Sequence, residues 1–305
     1  MNFSTMFSTI DAHVAGEAFR IVVHSSITLD KEDIMANHDY LRTVYQDECD
    51  FLLNEPRGHQ GMRGCITLPS SVADVGLLFF AHSRKKVFSY SALIATVTAL
   101  IETGNLARTE NDCYRIETVN GIYTVLAACT NEQVDAISLE SSTHLLENQS
   151  DYRVVEVDES RRYLIKALPD EIPSIQLEYL SAIMKWGKKA AQQYGNTYPD
   201  LSGIILAQSS DTASNEVRSI IFDPDGNIVR SPGIDSTFAI FTAQLEAGGE
   251  HTKLINKSIF DSVLVANLVD KTNKRFSIQA QGFTTGMHHF IYDRDDPLKN
   301  GFLLK

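Results

Sequence analysis

The side chains that could do chemistry in this chain gather at two short stretches, Ser89-Tyr90-Ser91 and Gly233-Ile234-Asp235-Ser236. Hydroxyls at 89 and 91 could cap a helix or attack as nucleophiles, and the Asp235 carboxylate could cap a helix or take a proton. The two stretches are linked by an internal echo. ATVTALIETG at 95–104 matches AIFTAQLEAG at 239–248, with five of ten residues identical at a fixed offset of 144. Each reads as a helix rich in small residues that stops at a glycine. Chance likeness between two buried alanine-rich helices is the competing explanation. Carried back along the chain, the offset sets Ser89 against Gly233 and Ser91 against Asp235, at the starts of the two helices. A helix start presents free backbone N–H groups and partial positive charge, a natural seat for a carboxylate. Two such starts facing one cleft would suit a small anionic ligand.

The elements around these stretches are mostly strands. Runs at 19–29, 76–82, 121–129, 162–168, 202–208, 217–223, 262–268, 275–281 and 287–293 are β-branched or aromatic and bounded by turn residues. Asp225-Gly226 predicts a hairpin turn. Helical patterns cover 89–103, 175–194 and 235–247, with a weaker one over 31–46. Duplication of half a chain implies two similar domains, each with one central helix.

Composition bounds the function. At 305 residues the chain has room for about two domains. Its formal charge of −12 argues against binding a nucleic-acid backbone, which requires a concentrated basic face. The one dense basic cluster, Arg84-Lys85-Lys86, reads as a solvated turn. The N-terminal stretch has neither a basic start nor a continuous apolar core, and no apolar run is long enough to span a bilayer, so a cytoplasmic location is expected. Cys49, Cys65, Cys113 and Cys129 form no CxxC pair and read as small buried residues. No metal is expected. His288 and His289 would point to opposite faces of a strand, and Asp293, Asp295 and Asp296 before Pro297 read as a turn.

Several longer pieces carry a resemblance: DAHVAGEAFRIV (11–22), NEPRGHQGMRGCITLP (54–69), ADVGLLFF (73–80), ALIETG (99–104), VRSP (229–232) and DRDDPLKNGF (293–302). Together they resemble the proline racemase family of proline racemases, 4-hydroxyproline epimerases and trans-3-hydroxyproline dehydratases. The resemblance implies an α/β fold of two pseudo-symmetric domains, each a curled β-sheet around a central helix. The domains are expected at 1–172 plus 290–305 and at 173–289. It also implies cofactor-independent chemistry, in which a thiol at each helix start exchanges the substrate's α-proton. In the family pattern the first helix begins MCGH and the second DRSPCGTGT. Here those positions read Phe88-Ser89-Tyr90-Ser91 and Val229-Arg230-Ser231-Pro232-Gly233-Ile234-Asp235-Ser236-Thr237. Ser89 and Gly233 stand where the thiols belong, Ser91 replaces a histidine, and Val229 replaces the aspartate that would meet the substrate's nitrogen. By the same resemblance His13 and His59 lie near the site as supporting residues, and Ile234 and Ser236 would line it.

Acidity sets the size of these losses. A thiol titrates at about 8.5 and falls further at a helix start, whereas a serine hydroxyl is closer to water, at about 15.7. The gap of roughly 7 units is about 10 kcal/mol, against about 0.3–2 kcal/mol from a helix dipole. Ser89 is therefore expected as a cap, and Asp235 as a structural cap before a catalytic base. Two functions follow. One is an isomerase or lyase acting on a small carboxylic acid with Asp235 or a histidine as base. The other is an inactive relative serving as a binding or regulatory protein, with a homodimer as one assembly to consider.

Overall fold

The computed structural model describes residues 3–31, 33–82, 88–131, 133–209 and 215–303. The basic cluster Arg84-Lys85-Lys86 lies outside the described residues. In chain order the elements are β1 (Phe3–Val14), β2 (Glu17–His24), α1 (Ile34–Val44), α2 (Gln46–Leu53), β3 (Arg63–Leu68), β4 (Val75–Phe80), α3 (Tyr90–Glu102), β5 (Cys113–Thr118), β6 (Gly121–Thr130) and β7 (Gln133–Asn148). There follow β8 (Arg153–Val157), β9 (Arg161–Ala167), α4 (Leu180–Gly195), β10 (Leu201–Ser209), β11 (Glu216–Phe222), β12 (Ile228–Val229), α5 (Ile234–Glu246), β13 (Lys253–Lys257), β14 (Val263–Asp270), β15 (Arg275–Ala280) and β16 (Gly282–Asp293). The chain divides into two compact units, Met1–Ile137 with Gln281–Lys305, and Ser138–Ala280.

In the first unit the strands run β6-β5-β4-β3-β2-β1-β16. The β2–β3 and β4–β5 pairs are parallel and the others antiparallel. Parallel neighbours need a crossover, and α3 supplies the one between β4 and β5. In the second unit the order β15-β14-β13-β11-β10-β9-β8-β7 is closed by pairing of β15 with β7, which makes a barrel. Its parallel pairs are β9–β10 and β11–β13, with α4 and α5 as crossovers. Both sheets are mixed, giving an α/β fold. The predicted hairpin turn forms between β11 and β12, where Gly226 adopts φ +79° and Phe222 faces Ile228.

α3 and α5 are buried on every side. From Tyr90 to Ile101 every residue of α3 is buried, as is every residue of α5 from Ile234 to Ala243. That burial explains their Ala, Thr, Ile and Phe content, because a helix without a solvent face needs no polar stripe. α3 packs against β1, β2, β3 and β16, and α5 against β8, β9, β13 and β14. Both are 13 residues long. They also stop alike. Gly104 (φ +70°) and Gly248 (φ +93°) take the left-handed conformation, while Asn105 N–H bonds Leu100 O (2.8 Å) and Gly249 N–H bonds Gln244 O (2.9 Å). This is the Schellman geometry that a glycine just past the helix end permits.

The stretches that carry the resemblance form a clasp in the first unit. Glu55 and Phe302 exchange backbone hydrogen bonds of 3.0 Å each, and Asn54 Nδ2 donates to Asn300 O (2.7 Å). Arg57 donates to the carbonyls of Phe51 (2.8 Å), Leu298 (3.0 Å) and Lys299 (2.8 Å). Gly301, at φ +65°, leaves no room for a side chain, since a Cβ there would lie 2.5 Å from Glu55 O. Arg20 grips Asp11 with two hydrogen bonds (2.9 and 2.7 Å) and donates to Leu52 O and Arg57 O. Among the described residues no helix is long and apolar enough to cross a membrane.

Candidate functional site at the two helix starts

At the start of α3, Ser89 is extended (φ −146°, ψ 151°) and its Oγ accepts the Ala92 N–H at 3.2 Å. Ser89 is the N-cap, as its sequence position predicts, and the hydroxyl is committed to the backbone. Ser91 is buried in the first turn. Around them lies an aromatic cluster. Phe88 stacks on Tyr123 (4.7 Å between centroids), and Tyr90 meets both rings edge-on at 5.6 and 5.7 Å. Phe79 adds a fourth ring against Phe88. Tyr90 is fully buried.

The start of α5 is built differently. Gly233 is the N-cap residue with φ +68° and ψ 134°, a conformation open to glycine and strained for a residue with a side chain. A Cβ at this position would lie 2.5 Å from Ile221 Cδ1 and 2.6 Å from Ser236 Oγ. Hydroxyls fold back onto the turn. Ser231 Oγ accepts the Gly233 N–H (3.1 Å), Ser236 Oγ donates to Pro232 O and Gly233 O, and Thr237 Oγ1 donates to Gly233 O (2.6 Å). Asn256 Nδ2 donates to Thr237 Oγ1 (3.0 Å) and Pro232 O (3.3 Å), while its Oδ1 accepts from Ser219 Oγ (2.8 Å). Ile234 is fully buried within the first turn.

Asp235 is expected from sequence as a structural cap, and it lies in the first turn of α5. The N-cap position of α5 is held by Gly233, which has no side chain to cap with. The Asp235 carboxylate accepts a 2.6 Å hydrogen bond from Arg161 Nε of β9, and both residues are buried, at 4% and 5% exposure. Arg161 also donates to Ser160 Oγ (3.1 Å) and pairs with Asp158 at 3.4 Å. A carboxylate held this way is committed to a fixed cationic partner within the fold.

The remaining predicted residues fall as follows. Val229 is half-buried on β12 opposite Ile221. His59 Nδ1 accepts the Gly61 N–H (3.1 Å), and its carbonyl lies 3.2 Å from His82 Nε2. His13 stacks on Phe283, its cross-strand neighbour, with centroids 5.2 Å apart. His288 and His289 serve different partners, Asp11 and Ser8. No cysteine stands in for a base at either start. Cys65, on β3, is pushed up to about 12 by burial, and burial together with Asp50 and Glu48 raises Cys49 as well. Among the described residues no group of three or more His, Cys, Asp or Glu converges as metal ligands would.

Sequence reasoning missed Arg161, Asn256 and the Phe79–Phe88–Tyr123 rings. Arg161 follows Asp158-Glu159-Ser160 in a run that reads as a solvated turn, and its partner lies 74 residues away.

Residues 9–165 match a family described as Proline racemase. The trans-3-hydroxy-L-proline dehydratase of Bacillus thuringiensis subsp. konkukian is 30% identical over 341 aligned residues, spanning 100% of both chains. The proline racemase of Clostridioides difficile is 27% identical over 347, again across 100% of both. A solved hydroxyproline epimerase from Agrobacterium vitis, with bound trans-4-OH-L-proline, is similar in fold with a TM-score of 0.83 at 20% identity. That likeness covers 100% of this chain and 96% of the other. The chain belongs to the proline racemase family.

Proposed function

We propose that this chain is a proline racemase-family protein that does not exchange the α-proton of proline by the paired-thiol route, and that it serves as a non-catalytic binding or regulatory protein. The observation that carries this reading is the start of α5. Gly233 holds a left-handed backbone with Ile221 packed where a side chain would begin. A reacting group there would require the turn to be rebuilt, not one residue exchanged. Two further facts support it: Asp235 is tied to Arg161, and the Ser89 hydroxyl is tied to Ala92.

The reading includes descent of the two units from one repeated half. Its support is the 144-residue offset shared by α3 and α5, their equal lengths and their matching glycine caps.

The test is α-proton exchange in D2O, followed by proton NMR, with L-proline, trans-4-hydroxy-L-proline and trans-3-hydroxy-L-proline. No deuterium incorporation and no loss of water from the 3-hydroxy compound are expected. Exchange at an ordinary enzymatic rate overturns the proposal. A second reading, a lyase or isomerase for a small carboxylic acid, draws on the full-length 30% identity to a protein named as a dehydratase. It would be favoured if measurable turnover in the wild type vanished in Asp235→Ala while Ser89→Ala, matched for stability, kept it.

A further inference from the structure

α3 and α5 end with the same glycine cap, yet their last residues, Glu102 and Glu246, are partnered differently. Glu246 Oε1 pairs with Lys274 Nζ at 3.1 Å. Lys274 closes the turn between β14 and β15 with a left-handed backbone, φ +46°. In the other unit the matching turn joins β6 to β7, and its left-handed residue is Asn131, φ +57°. The segment Thr130-Asn131-Glu132-Gln133 contains no basic residue. Glu102 accepts the Thr284 hydroxyl on Oε2 (2.8 Å) and the Val134 N–H on Oε1 (3.3 Å), and among the described residues no basic side chain pairs with it. Beside it lies an open surface depression of about 480 Å³ lined by Glu102, Thr130, Asn131 and Gln133.

From this contrast we infer that the depression at the end of α3 binds a small aliphatic primary ammonium ligand, which supplies from outside the charge that Lys274 supplies to Glu246. The inference draws on the repeated-half reading but is independent of whether the helix starts catalyse anything. The chemistry matches on each count. A carboxylate at a helix C-terminus adds to the negative end of the helix dipole, where cations are favoured. Thr130, Asn131 and Gln133, which line the space, carry hydroxyl and amide oxygens able to accept the N–H bonds of an ammonium, and the Thr130 hydroxyl itself donates to Asp135 (2.6 Å). Arg108 donates to Asn131 O (2.8 Å), but both oxygens of Asp112 hold its guanidinium (2.9 and 2.7 Å), so its charge is answered locally. A chain with net charge −12 draws cations to its surface.

The experiment is titration of the full chain with n-butylammonium, read by NMR shifts of the Asn131 and Gln133 side-chain amides. Tetramethylammonium, a cation without N–H groups, serves as the control. Saturable butylammonium binding is expected, with Glu102→Gln weakening it about tenfold through loss of a charge-assisted hydrogen bond. Asn131→Lys places an ammonium on the turn as Lys274 does, and should remove the binding while raising the melting temperature. Absence of saturable binding, equal binding of tetramethylammonium, or undiminished binding in a folded Glu102→Gln protein overturns the inference. Proline exchange in D2O stands apart from every one of these outcomes.

Discussion

The starts of α3 and α5 stand 144 residues apart and solve one problem in two ways. At α3 a serine side chain satisfies the first turn and four aromatic rings fill the surroundings. At α5 the capping position is a glycine, with no side chain to offer. That glycine bends into a conformation strained for other residues, with hydroxyls, an asparagine and a buried ion pair around it. The far ends of the same helices are alike down to the hydrogen bond that closes the cap. Both stops use the glycine cap, which backbone geometry provides, whereas the starts are satisfied by different groups. The two helices thus differ at their starts and agree in the backbone of their stops. The two starts also differ in how readily each could carry a thiol: Ser89 is one atom from cysteine, whereas a side chain at Gly233 would meet Ile221 and Ser236.

The largest expected effect tests the ion pair. Arg161→Met leaves Asp235 buried without its cation and should cost about 3–5 kcal/mol of unfolding free energy by denaturant melts. Adding Asp235→Leu should recover most of it. If the single change costs less than about 1 kcal/mol, within the range of an exposed pair, the α5 start is not held by that pair and the contrast with α3 weakens. Next comes Gly233→Ala, expected to lose about 1–3 kcal/mol from backbone strain, with a further loss from crowding Ile221. A neutral result would mean that the turn is free to adopt the ordinary capped geometry of α3. The smallest effect belongs to α3. Ser89→Ala should cost about 1 kcal/mol and Ser89→Gly only a few tenths, as for other N-cap positions. Should Ser89→Ala exceed Gly233→Ala, the assignment of rigid and replaceable starts would have to be exchanged.

Much of the scaffold was legible in the residues. The helices predicted over 89–103 and 235–247 form at Tyr90–Glu102 and Ile234–Glu246, because small residues and a terminal glycine signal a buried helix and its stop. The helix predicted over 175–194 begins later, at Leu180, after a 3-10 turn at Leu177–Tyr179. β1 and β7 went unread, since FSTMFSTIDAHV and QVDAISLESSTHLLEN mix polar residues into their apolar alternation. The site was less legible than the scaffold. A capping serine has a local signature, and Ser89 follows it. The φ of Gly233 has none, because glycine tolerates most of the conformational map and its identity does not say which region is used. The pairing of Asp235 with Arg161 depends on a register between β9 and α5 that no local pattern encodes.

The clasp around Arg57 has a bearing on biosynthesis. Residues 138–280 form one uninterrupted stretch of polypeptide, while the other unit draws on both extremities of the chain. β1 lies between β2 and β16, and residues 298–302 complete the bonds to Asn54, Glu55 and Arg57. As the ribosome extrudes this protein, the inner stretch is whole before the outer unit has its final strand. The region made first is therefore the last to be finished, and loss of residues 298–302 would strip the bonds from Asn54, Glu55 and Arg57 while leaving β16 paired with β1.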